Sequence, residues 1–166
     1  MSIRKATMLA GLVLALAALS PASALANAGG TDRPVNGSGS GTVSVNVPTF
    51  TIAGDVTGVL GHLGKLTARV EATGSLTPEG TTVATGTVTF VAADGDRLTG
   101  DVTITGPAPT TSVHQNLTIT TITGGTGRFA DASGTLRTTG VITPFSFDGV
   151  TLLESIETTT TGRISY

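Results

Sequence analysis

The 166-residue chain contains no cysteine and no tryptophan, one tyrosine and five phenylalanines, and only 12% of its residues are charged. Without thiols there is no disulfide framework and no thiolate-based zinc site. A formal net charge of −2 provides no basic surface for a phosphate backbone, so nucleic acid is not an expected partner. The length argues for one domain. What the chain has in quantity is small and β-branched: 23 glycines and 33 threonines.

The N-terminus reads as a targeting segment rather than as fold. Arg4 and Lys5 precede an apolar run from Met8 to Leu19, Ser20-Pro21 breaks the run, and Ala24-Leu25-Ala26 forms an A-x-A cleavage pattern. The run is shorter than the roughly 20 residues that cross a bilayer core, and no cysteine follows it to carry a lipid. The expectation is an exported protein, cleaved after Ala26, with no stable membrane anchor afterwards. Residues 27–41, NAGGTDRPVNGSGSG, lack periodicity and are expected to be a flexible leader. The folded domain is expected over residues 42–166.

From Thr42 onward the dominant period is two. Val43, Val45 and Val47 alternate with polar residues, as do Leu66, Ala68, Val70 and Ala72, then Val88, Phe90 and Ala92, then Leu98, Val102 and Ile104. Leu117 and Ile119 define a further run, and Val150, Leu152 and Ile156 another. Such alternation gives each strand one apolar and one polar face, and threonine and valine favour the pleat. Asp94-Gly95 between two runs is a hairpin signal. Further breaks fall at Gly61 to Gly64, Pro78 to Gly80, Gly106 to Pro109, Gly124 to Gly127, Pro144, and Asp148-Gly149. Helical periodicity is missing beyond single turns. The pattern predicts an all-β sandwich or barrel, and the length suits eight antiparallel strands closing a single barrel.

The most distinctive segment is Gly124-Gly125-Thr126-Gly127-Arg128-Phe129. Its glycines permit positive φ and close backbone approach at a barrel corner, Phe129 is placed to plug one end, and the Arg128 fork suits carbonyls or a carboxylate. The competing reading, an anion cradle of amides, lacks a following helix. Three blocks occur in order: GHLGKLT from Gly61, AADGDRLTGDVT from Ala92, and ITGGTGRFADASGTL from Ile122. In these the chain resembles the bacterial allene oxide cyclase barrel-like proteins, distant relatives of plant allene oxide cyclases and dirigent proteins. The resemblance spans roughly Phe50 to Tyr166. It implies an eight-stranded antiparallel barrel of calycin-like shape, and an activity in which reactive intermediates are guided to one stereochemical outcome or cyclised. The matched blocks are scaffold corners, so no catalytic residue carries over.

Other signatures fail. A phosphate loop near Gly58 to Lys65 would need glycine where Val59 stands and Ser or Thr where Leu66 stands. There is no G-x-S-x-G elbow and no S-x-x-K. Asp94, Asp96 and Asp101 lack the other ligands of a calcium loop and read as a solvated hairpin tip. His62 and His114 are far apart without a third ligand at motif spacing, so each reads as a surface histidine and no metal or other cofactor is expected.

Candidate ligand contacts come from parity. Glu154 shares parity with Val150, Leu152 and Ile156, which points its carboxylate inward, where burial raises its pKa. Gln115 shares parity with Leu117 and Ile119. Tyr166 adds a phenol, and His62 is retained as a further contact. The expected function is an exported small barrel with an apolar interior. It binds an apolar small molecule, or serves as an extracellular scaffold without enzymatic activity. The rivals are a cyclase, isomerase or stereochemical guide for a polyene or polyketide-like intermediate, which needs little acid–base machinery, and a structural or adhesive surface protein with threonine-rich outer faces. A filled interior favours the scaffold; an open one favours binding or catalysis. Oligomerisation is compatible with all of these.

Overall fold

The computed structural model describes residues 30–166. The expected signal segment and the first residues of the expected leader lie outside them. Eight strands follow in chain order: β1 (Asp32–Asn46), β2 (Thr51–Leu60), β3 (Gly64–Leu76), β4 (Thr81–Ala92), β5 (Arg97–Pro107), β6 (His114–Gly125), β7 (Ser133–Phe147) and β8 (Thr151–Ser165). Each pairs antiparallel with its sequence neighbour, and β1 closes on β8 from Asp32↔Ser165 to Asn46↔Thr151. The result is one closed eight-stranded barrel without a free sheet edge. Among the described residues the one helical element, the 3-10 turn Gly127–Phe129, sits at the β6–β7 corner.

The expected leader is corrected by β1. Residues 32–41 are not a linker; they pair with both β2 and β8. Their composition conceals a period of two in which Val35, Gly37, Gly39 and Gly41 face inward and Asn36, Ser38 and Ser40 outward. A Cβ at Gly41 would collide with the Asp55 carbonyl. Glycine has low strand propensity, but pairing along both edges overrides it, and its missing side chain allows close approach. The barrel domain therefore begins at Asp32 rather than at Thr42. Pro144 also fails to end its strand: β7 runs through it, and a bulge between Pro144 and Ser146 leaves Phe145 unpaired and 60% exposed.

One end of the barrel is sealed. Phe129 has 0% exposure and packs with Val35, Leu60, Leu63, Leu98 and Ile164. The Tyr166 ring meets it edge to face, with centroids 5.1 Å apart. The Arg128 guanidinium lies 4.6 Å above its centroid. Arg128 Nη2 donates to the Leu63 carbonyl at 3.0 Å, and its Nη1 is 3.5 Å from Asp94 Oδ2. Asp96 Oδ2 accepts the Arg128 backbone N–H at 3.0 Å, so a carboxylate of the chain itself already occupies that amide. Gly127 has φ +57°, and a Cβ there would overlap the Asp96 carboxylate. The glycine-rich segment thus acts as a clasp tying the β4–β5 and β6–β7 corners over the plug. The expected hairpin at Asp94-Gly95 is the β4–β5 turn, with Gly95 at φ +90°.

Candidate functional site

The opposite end opens into a cavity of about 160 Å³. Its apolar wall comes from β2 to β5, where Ile52, Ala68, Val70, Val88, Phe90 and Ile104 project inward at period two. At the mouth Phe50 also lines the cavity, although its backbone lies in the left-handed region at φ +52°. A phenylalanine there is strained. Its carbonyl is held by the N–H of Gly74 at 2.9 Å.

The other wall mixes Ile142 and Ile156 with polar side chains. β6 contributes His114, Asn116, Thr118 and Thr120; β7 contributes Thr138; β8 contributes Glu154, Thr158 and Thr160. Some of these hydroxyls have partners: Thr138 and Thr160 share a hydrogen bond at 2.9 Å, and Thr158 donates to the Gly39 carbonyl at 3.1 Å. Threonine therefore occurs on both faces of the barrel. Outside it solvates the sheet; inside it supplies hydroxyls that donate or accept.

Glu154 faces the lumen as its parity predicts and is only 3% exposed. Burial raises its pKa above the ordinary value of 4.5, and the His114 ring partly offsets this. His114 Nε2 lies 4.0 Å from Glu154 Oε1, close enough for Coulombic attraction but too far for a hydrogen bond. Val150, which shares this parity, lies exposed in the β7–β8 turn.

The other three candidate contacts are not brought to the cavity. Gln115 points outward and is exposed, because the inward parity of β6 belongs to His114, Asn116 and Thr118. Leu117 and Ile119 lie on the outer face, half-buried beside Thr105 and Thr103 of β5. They made the strand's hydrophobic alternation point the wrong way. His62 sits exposed in the β2–β3 turn at the sealed end, with φ +65°. Tyr166 lies at that same end, and its hydroxyl donates to the His62 carbonyl at 3.0 Å. These two residues therefore fasten the plug and do not contact the cavity.

His114 is the functional candidate that sequence reasoning missed. The available signal was Ile122, which is 4% exposed and faces inward. Counting back from it by twos along β6 reaches Thr120, Thr118, Asn116 and His114. No family model, curated protein or solved structure matches this chain, so its function is read from this cavity.

Proposed function

We propose that this chain is an exported barrel that binds an apolar small molecule in the open end of its lumen. The observation that carries this reading is the open cavity, with an apolar wall on β2 to β5 facing a few convergent polar groups on β6 to β8, the usual composition of a ligand site. An open lumen also supports binding over a purely structural scaffold. Apolar cavities of about 150 Å³ admit benzene, so the ligand is of monocyclic size, or larger with part of it in the mouth. Export rests on Arg4 and Lys5, the Met8 to Leu19 run and the Ala24-Leu25-Ala26 pattern.

The test is calorimetric titration with toluene and indole. Saturable binding is expected for the native chain. Ala68→Leu, which adds bulk to the apolar wall, should weaken it at least tenfold without loss of fold by circular dichroism. A native chain that binds no neutral monocyclic probe would overturn the reading.

A second reading is favoured by one observation, the buried Glu154 carboxyl facing an apolar wall. A proton held there is available to a reacting group, which accords with the resemblance to allene oxide cyclase barrel-like proteins. On this reading the lumen holds a polyene or polyketide-like intermediate in one reactive conformer. The measurement is the enantiomeric ratio of the cyclised product with and without protein; identical ratios would defeat this alternative.

A further inference from the structure

We propose that the ligand carries a basic nitrogen, and that Glu154 is the counter-ion that selects it. This inference rests on the binding function proposed above and specifies its ligand class.

The first argument is the unmet demand of the carboxylate. Glu154 is 3% exposed and faces the lumen. An ionised carboxylate only accepts hydrogen bonds, and leaving one buried without donors is costly. Among the described residues no hydrogen bond to its oxygens forms, and His114 stays at 4.0 Å. Among the described residues no fully enclosed side-chain oxygen lacks a partner, so the Glu154 oxygens open onto the lumen, where a donor with positive charge can reach them and supply both hydrogen bond and charge.

The second argument is the distribution of charge. The sequence has no Lys or Arg in residues 43–54, 73–93, 102–127 or 138–162, the segments that build the open half. Lys65, Arg97, Arg128 and Arg163 gather at the sealed end, and Arg69 is engaged with Glu71 at 3.0 Å. The turns of the open rim carry Glu79 and Asp148. Both stay ionised more readily than usual: the Thr77 hydroxyl hydrogen-bonds Glu79, and the N–H groups of Thr151 and Val150 bond Asp148. An anionic rim above a buried carboxylate attracts cations and repels anions. Of the titratable groups, Glu154 on β8 and His114 on β6 line the cavity, so the imidazole is the internal competitor for the carboxylate.

The experiment compares toluene, benzylamine and benzoate, three probes that share one ring and differ in charge, by calorimetry at pH 7. The native chain is expected to bind benzylamine at least tenfold more tightly than toluene and not to bind benzoate. Glu154→Gln should remove the preference for benzylamine over toluene. His114→Gln should retain or enlarge the preference, since it removes the competing ring. Equal binding of benzylamine and toluene by the native chain would overturn the counter-ion role and leave apolar binding standing. Loss of the preference in His114→Gln would overturn it as well. Failure of all three probes would defeat the underlying binding function instead. Should Glu154→Gln not fold, the native and His114→Gln comparisons still decide.

Discussion

Glu154 and His114 meet on one wall of the lumen with Oε1 4.0 Å from Nε2, although β7 separates the strands that carry them. Barrel curvature turns the inward faces of β6 and β8 toward one another, so an acid and an imidazole far apart in sequence share one low-dielectric wall. The bulge that frees Phe145 lies beside Pro144, which is paired with Glu154, in keeping with the tendency of bulges to sit next to functional sites.

Stability should depend on pH through Glu154. Its carboxyl holds a proton more tightly folded than unfolded. The fold therefore loses stability as pH rises from the ordinary value of 4.5 to the raised one, and the loss persists at higher pH. Below the ordinary value both states are protonated and the penalty vanishes. Glu154→Gln should raise the urea midpoint at pH 7 and leave it nearly unchanged at pH 3. A lowered midpoint at pH 7 would mean that the carboxylate is favourably paired in the fold.

Phe129→Ala should destabilise the barrel by about 3–5 kcal/mol, the usual loss for a fully buried ring. Urea unfolding monitored by far-ultraviolet circular dichroism reads this directly. An unchanged midpoint would show that the plug contributes nothing.

Arg128→Ala should cost about 1–2 kcal/mol, because it removes the bond to the Leu63 carbonyl and the contact with the Phe129 face. Asp94→Asn should cost less than about 0.5 kcal/mol, since that ion pair is exposed. Comparing urea midpoints of the two variants tests the ranking; a reversed order would place the strength of the clasp in the ion pair.

Chains beginning at Gly30 and at Thr42 should behave differently. The first retains all of β1; the second loses Asp32 to Gly41, which pair with β2 and β8. Cooperative thermal unfolding is expected for the first and not for the second, whose opened barrel exposes unpaired strand edges. Equal transitions would return residues 32–41 to the status of a leader.

The exported form should begin at Asn27. Edman sequencing of the protein from culture supernatant checks this, and an intact Met1 recovered with membranes would refute cleavage.

The amphipathic runs at Leu66 to Ala72, Val88 to Ala92 and Leu98 to Ile104 were legible because their inward residues are apolar and their outward ones polar, so hydrophobicity and orientation coincide. The Asp94-Gly95 turn and the corner at Gly124 to Phe129 were legible because their conformations demand particular residues. Glu154 was legible as a polar residue in apolar parity. His114 was not, since Leu117 and Ile119 put apolar side chains on the outer face of β6 and inverted the apparent phase. Residues 32–41 were not, because glycine carries no hydrophobic label to reveal which way it faces.

By itself, the sequence determined an all-β chain of antiparallel strands, the positions of most of its turns, and the side of β8 on which Glu154 lies. These follow from a period of two and from local backbone chemistry, which neighbouring residues suffice to express. Only the tertiary structure decided that β1 starts at Asp32, that β6 turns its polar residues inward, that His62 and Tyr166 meet at the sealed end, and that His114 faces Glu154. Each of these depends on register between strands and on closure of β1 against β8. A register shift of one residue exchanges the two faces of a strand, and where threonine and glycine occupy both faces, only pairing with the neighbouring strands selects between them.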